Sequence, residues 1–250
     1  MKPILHSKPW ITKSDIEAVV NVMKSGMIGQ GDITRELETR LAHWVGLAGG
    51  VAVSSGSAAI YLALLGLRVK AGDEVILPTY VCYSGATPVL CDVGTEWVMT
   101  PETVSKVFSK KTRAVIAPHI YGVFADVQGI RSLGCPVIED CAQGIPFNGK
   151  VQSAADIVVF SFHPTKCITS GEGGLAVSAN NEILKTMIKY RDGNCLQLQK
   201  RLFAPLSDIA STLVMSQLDR YHRALNKRNI IASTYINAIN QTTSNNLYHP

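Results

Sequence analysis

An α/β fold, a mostly parallel sheet flanked by helices, is what this sequence predicts, on three observations. Between residues 50 and 140, short β-branched runs alternate with helical stretches, the grammar of repeated strand–helix units. Residues 157–178, IVVFSFHPTKCITSGEGGLAVS, set two apolar runs on either side of a glycine cluster, which reads as two short strands joined by a loop. The 250 residues are 46% hydrophobic and 17% charged, the balance of a folded globule with ample material for a core.

The elements follow in order. Thr12 and Asp15 form a capping box with Asp in place of Glu, and Ile16, Val19, Val20 and Met23 follow at helical spacing. Ser25-Gly26 ends that helix. A second helix carries Leu37, Leu41, Trp44 and Val45 on one face, and these read as core. The short run 51–53 leads through Ser54-Ser55-Gly56-Ser57-Ala58-Ala59 into a helix over 60–67. Strands are expected at 74–77, 88–91, 114–117 and 136–138, and helices at 101–108 and 127–133. Beyond Asn180 the chain reads as helical, with one long segment over 207–239. The sequence shows no internal repeat and no low-complexity tract.

Composition narrows the function. The net charge of +5 is mild and scattered, and the one basic cluster, Lys110-Lys111-Arg113, reads as a solvated turn and not a nucleic-acid patch. No apolar run approaches the roughly 18 residues that span a bilayer, and the start lacks the apolar core of a signal peptide. The six cysteines, Cys82, Cys91, Cys135, Cys141, Cys167 and Cys195, include no C-x-x-C pair; they read as reduced thiols of a cytoplasmic protein, neither a disulfide framework nor a zinc site. No G-x-G-x-x-G opens a strand-to-helix turn, which argues against a dinucleotide-binding oxidoreductase.

Three local features each admit two readings. Small residues at the start of a helix leave backbone N–H groups open to an anion, so Gly56-Ser57-Ala58-Ala59 fits a phosphate cup, with the Ser57 hydroxyl as a further donor; an ordinary serine N-cap fits as well. Asp140 follows an apolar strand, at the end where ligands bind in open α/β sheets; Glu139-Asp140 also suits a loop pair or a helix cap. Gln143 lies three residues on. Lys166 is the one amine in the loop before the glycine cluster. Placed among apolar groups it becomes a neutral nucleophile able to form a Schiff base, whereas on the surface it is a solvated side chain. Together a phosphate cup, a mid-chain carboxylate and a later lysine match the phosphate, ring nitrogen and aldehyde of pyridoxal 5'-phosphate.

The segments SSGSAAIYLALLGL, GDEVILPTY, GATPVLCDV, VIEDCAQG and FSFHPTKCITSGEGG, in that order, resemble the DegT/DnrJ/StrS family of fold-type I sugar aminotransferases. The resemblance runs from about Gly29 to Leu218 and implies the PLP-transferase large-domain fold, like that of aspartate aminotransferase. It implies that Lys166 holds the cofactor as a Schiff base and moves the proton of the reaction. Asp140 pairs with the ring nitrogen, Gln143 lies on the hydroxyl side of the ring, and Ser57, Ala58 and Ser161 bind the phosphate. Lysine where the family's sugar dehydratases carry histidine favours amino transfer, from glutamate to a nucleotide-linked keto-sugar, in a cytoplasmic homodimer serving polysaccharide biosynthesis. The rival is a non-catalytic descendant that binds cofactor or a partner. His163 reads as shaping the lysine loop; His119, in a matching PHIYG, receives no chemical role.

The expected organisation is a cofactor-binding large domain over residues 1–205 and a long helix over 206–250 leading toward a small C-terminal domain that the chain lacks, leaving apolar surface exposed. Two further departures from the family pattern stand out. Only residues 79–86 separate two strands that a parallel crossover would join with a dozen or more residues, so either the strands pair differently or the local fold is damaged. The family's ring-stacking residue lies in the helix expected there, and Cys82 falls at or near its position. The stretch Leu202-Phe203-Ala204-Pro205-Leu206 also lacks the asparagine that the family offers to a partner subunit's phosphate site.

Overall fold

The computed structural model describes residues 7–77, 85–145, 154–194 and 202–241. Two helices, α1 (Lys13–Ser25) and α2 (Asp32–Trp44), precede a sheet built from β1 (Gly49–Val53), β2 (Glu74–Leu77), β3 (Thr87–Leu90), β4 (Thr112–Pro118), β5 (Val137–Asp140), β6 (Ile157–Ser161) and β7 (Gly174–Ser178). Between the strands lie α3 (Gly56–Gly66), α4 (Pro101–Ser105) and α5 (Val127–Arg131), and after them α6 (Asn181–Arg191), α7 (Asp208–Leu218) and α8 (Tyr221–Gln241). The seven strands are ordered β1-β7-β6-β5-β4-β2-β3. Only β7 runs against its neighbours, pairing antiparallel with both β1 and β6.

Period-two alternation distributes the core. Val158 and Phe160 face one layer with Leu37, Leu41 and Val214, while Ile157 and Val159 face the other with Ile60, Leu64 and Met187. Because both faces are covered, β4 reads as a continuous apolar run. Helix α3 is buried nearly all round, which explains why GSAAIYLALLG shows little amphipathic contrast.

Three expectations change. The apolar positions Ile16, Val20 and Met23 of α1 are exposed, and α1 instead turns Asp15 and Val22 inward. The long C-terminal helix is two, α7 and α8, parted at Asp219-Arg220. Despite its short connection, β3 pairs parallel with β2 in the register Glu74↔Thr87 through Leu77↔Leu90. It does so at the sheet edge, where Pro88 needs no ladder partner on its far side. Cys82 and the start of that connection lie outside the described residues, as does Cys195. Cys91, Cys135, Cys141 and Cys167 are free thiols. No helix among the described residues is long and apolar enough to cross a membrane.

Two buried carboxylates fasten distant segments. The N-cap of α2 is Gly31, which has no side chain to offer. Asp208, distant in sequence, caps the helix instead, accepting from the amides of Gly31 (2.8 Å) and Thr34 (2.9 Å) and from the Thr34 hydroxyl (2.7 Å). Asp208→Ala is therefore expected to lower stability by about 2 kcal/mol, read from the urea midpoint. An unchanged midpoint would show that water replaces the cap without loss.

Asp15 is fully buried and accepts from the Thr12 amide (2.7 Å), the Ser216 hydroxyl (2.6 Å) and the Arg220 guanidinium (2.9 Å). Burial alone would raise its pKa, but the hydrogen bonds from Ser216 and Thr12 and the charge of Arg220 outweigh that and hold it below 3.8. A depressed carboxyl stabilises the fold above its unfolded pKa, and that contribution is lost as pH falls through the folded value. Acid below about pH 4 should accordingly release α1 from α7. Hydrogen exchange at the α1 amides as pH is lowered tests this, with Asp15→Asn expected to flatten the response.

Candidate active site

The carboxyl ends of the parallel strands and the start of α3 enclose a cavity of about 460 Å³, within the size range of small-molecule sites. Its walls include Ser57, Asp140, Gln143, Ser161 and Lys166, drawn from three separate stretches of the chain. Ala58 is the exception among the expected site residues. It does not line the cavity, and its N–H donates to the Ser55 hydroxyl (3.1 Å), which is the true N-cap of α3. The serine-cap reading thus holds, with Ser55 and not Ser57 as the cap. Ser55 caps the helix, and the amides of Gly56 and Ser57 make no hydrogen bond among the described residues.

Close backbone packing brings these stretches together. A Cβ on Gly56 would meet Ser161 Cβ at 2.8 Å, and one on Gly174 would meet the Ser55 carbonyl oxygen at 2.4 Å. The mouth of α3 therefore rests directly on the paired ends of β6 and β7, where Ser161 lies opposite Gly174. The Lys166 loop is held by its own hydrogen bonds. The Lys166 amide donates to the His163 carbonyl (2.9 Å), and Thr169 exchanges bonds with the Gln217 side chain, its amide donating to Oε1 (3.0 Å) and its carbonyl accepting from Nε2 (2.8 Å). His163 Nδ1 lies 2.9 Å from the Thr165 hydroxyl, which places that histidine in the loop's framework.

On β5, successive side chains face opposite ways. Ile138 belongs to the α3 layer and Val137 to the other, so Asp140 points to the cavity and Glu139 away from it. Burial raises the Asp140 pKa, against the Ala142 amide (2.9 Å) and the nearby charge of Lys166. A carboxyl so placed attracts a cation to its cavity side. Glu139, 2% exposed, meets His119, 1% exposed, at 2.6 Å between Oε1 and Nε2. His119 Nδ1 accepts the Ala125 amide (3.1 Å), so the ring hydrogen sits on Nε2 and is donated to Glu139. Cys141 completes a group whose ligand atoms lie within 4.8 Å, but with Nε2 acting as donor the imidazole has no lone pair there for a metal. The backbone of His119 also donates to the Asp140 carbonyl (3.0 Å), which ties this buried pair to the strand end that presents Asp140.

Two contributions were not anticipated from sequence. The His119–Glu139 pair is one; its signal was an acid on the inward face of a buried strand, which requires a partner. The other is the apolar wall of Val93, Trp97, Val98 and Met99 after β3. Trp97 sits there with φ 65°, in a conformation uncommon for a bulky residue. Nothing local marks that loop as facing the site.

The donor set suits pyridoxal 5'-phosphate. The cavity offers open amides and a hydroxyl at a helix mouth for a phosphate, a buried carboxyl for a ring nitrogen and a primary amine for an aldehyde.

Comparison with known proteins gives a consistent picture. The profile of the DegT/DnrJ/EryC1/StrS aminotransferase family matches residues 9–249. A structure described as a sugar aminotransferase of Streptococcus pneumoniae, in its apo-form, superposes with a TM-score of 0.84 at 27% identity, over 94% of this chain and 70% of that one. The PLP-form of the same protein gives a TM-score of 0.83 at 27% identity, over 94% of this chain and 71% of that one. An aminotransferase from Psychrobacter cryohalolentis gives 0.79 at 28% identity, over 87% of this chain and 64% of that one. The chain thus spans about two thirds to seven tenths of the length of these structures.

Proposed function

The chain belongs to the DegT/DnrJ/EryC1/StrS aminotransferase family, and we infer that it moves an amino group from glutamate onto the keto carbon of a nucleotide-linked sugar, with pyridoxal 5'-phosphate as its cofactor. The observation that carries this reading is the convergence of Ser57, Asp140 and Lys166 on one cavity.

Each residue has a task that its position supports. The open amides of Gly56 and Ser57, the Ser57 hydroxyl and Ser161 hold the phosphate at the positive end of α3. Ala58 contributes through the helix it extends, not through its amide. Asp140 keeps the ring nitrogen protonated, and Gln143 lies at the same rim. The Lys166 amine would hold the cofactor at its aldehyde carbon and is the group placed to hold and move a proton at the substrate carbon. The cofactor supplies an electron sink when bound. The apolar wall around Trp97 excludes water from the reacting atoms. The reading includes a homodimer, which the exposed Ile16, Met23, Met27 and Ile28 support, and sedimentation of the pure protein tests it.

Protein reconstituted with cofactor is mixed first with glutamate and then with a nucleotide-linked 4-keto sugar. One 2-oxoglutarate should form per site in the first step, and an amino sugar in the second. Cofactor binding without 2-oxoglutarate would replace the enzyme with a binding-only descendant. Formation of 2-oxoglutarate without acceptance of the sugar would remove the substrate assignment alone.

A further inference from the structure

A second cavity, of about 440 Å³, lies across the Lys166 loop from the first, between residues 7–10, residues 164–167 and the start of α8. Lys166 lines both cavities. The second carries five basic side chains, Lys8, Lys166, Arg220, Lys227 and Arg228, and no acidic one. Arg220 is paired with Asp15. Lys8, Lys227 and Arg228 form no ion pair among the described residues.

The Trp10 ring organises this group. Lys227 Nζ stands 3.9 Å from its centre, and the guanidinium carbons of Arg220 and Arg223 stand at 5.2 and 5.7 Å. Cation–π contacts hold exposed cations in place but do not cancel their mutual repulsion. The Arg220 Nε–H is buried and has no partner. Like charges gathered around one concave surface are stabilised by an anion of matching charge. Several cations along one wall match a diphosphate better than a single carboxylate.

We propose that this second cavity binds the diphosphate of a phosphorylated ligand, with Lys8, Lys227 and Arg228 as donors, Trp10 as the platform for Lys227 and the Asp15-bound Arg220 as part of the wall. The identification of that ligand as the nucleotide-linked substrate rests on the function proposed above; the anion site does not. Lys166 is common to both linings, so a diphosphate seated beside α8 lies against the loop that carries the lysine.

The test is titration calorimetry of the full chain with uridine diphosphate and, separately, inorganic pyrophosphate, at low and high salt. Both should bind, more weakly as salt screens the site. The double variant Lys227→Gln/Arg228→Gln removes two exposed side chains and should weaken both by about tenfold or more. Arg223→Gln removes one charge beside Trp10 without touching the cavity lining and should change binding less than about threefold. Tighter binding of uridine diphosphate assigns the site to a nucleotide, and equal binding assigns it to the diphosphate alone; either supports an anion site. Absence of binding by both ligands, or an equal loss in Arg223→Gln, overturns it. The visible absorbance of protein mixed with pyridoxal 5'-phosphate, recorded on the same samples, reports separately on the cofactor reading, so failure of one leaves the other standing.

Discussion

Lys166→Ala is expected to leave a folded protein that forms no covalent link to pyridoxal 5'-phosphate and whose amino transfer falls by about 10⁴-fold or more. The fold should survive because the loop is held by other groups: the Lys166 amide on the His163 carbonyl, and Thr169 on Gln217. None of these uses the lysine side chain. The unaltered chain, treated with cofactor and then borohydride, should gain the mass of one reduced adduct at Lys166 and lose its yellow colour, whereas the variant should show neither change. Lys166→Arg separates charge from nucleophilicity, since it keeps a cation near Asp140 but cannot form the link. An adduct of equal yield in Lys166→Ala would place the reactive amine elsewhere and remove the chemical centre of the proposal.

Gly174→Ala should be the most damaging single added methyl group among the described glycines. Its Cβ would meet the Ser55 carbonyl oxygen at 2.4 Å, the Ser55 carbonyl carbon at 2.6 Å and the Gly56 nitrogen at 2.7 Å. All three are backbone atoms at the mouth of α3, so no side-chain rotation relieves the clash. Either β7 separates from β6 or the helix mouth lifts from the strand ends. We expect a loss of about 3 kcal/mol in urea unfolding. Cofactor affinity should fall as well, because the displaced amides of Gly56 and Ser57 are the proposed phosphate donors. Gly72→Ala is the informative contrast. That glycine has φ 91° but open space around its missing Cβ, so its cost is conformational strain alone, and cofactor affinity should be unaffected. If Gly174→Ala unfolds at the same urea concentration as the unaltered chain, the close approach that assembles the site is not needed.

Local pattern carried much of this protein. The strand–helix alternation placed the strands that form the sheet, because the apolar runs of β2, β4, β5, β6 and β7 are buried on both faces and bounded by turn residues within a few positions, while the edge strand β3 is largely exposed. The order of its motifs was sufficient to point to a family, and with it to Lys166, Asp140, Gln143, Ser57 and Ser161, which the fold gathers around one cavity. What remained hidden involved partners far away in the chain. No window around Gly31 shows that Asp208 caps α2, since 177 positions separate the two. The period of α1 suggested a buried apolar stripe, yet the helix is anchored by Asp15, whose partners Ser216 and Arg220 lie on the other side of the sequence. A run of helix formers over 207–239 gave no sign of the break at Asp219-Arg220, which turns Tyr221 into the core against Trp44. Ala58 looked like a phosphate donor until the serine two residues before the expected one took its amide.

The sequence by itself determined which segments become strands and helices, and which amine and acids are available for chemistry, because those depend on neighbours within about one turn or one strand. Only the tertiary structure decided which of those groups face one another: the Glu139–His119 pair behind Asp140, the contact of Gly174 with the mouth of α3, and the basic cavity beside Trp10. Burial and close packing are properties of the assembled layers, and a residue acquires its hydrogen-bond partners and its charge environment only when distant segments have come together.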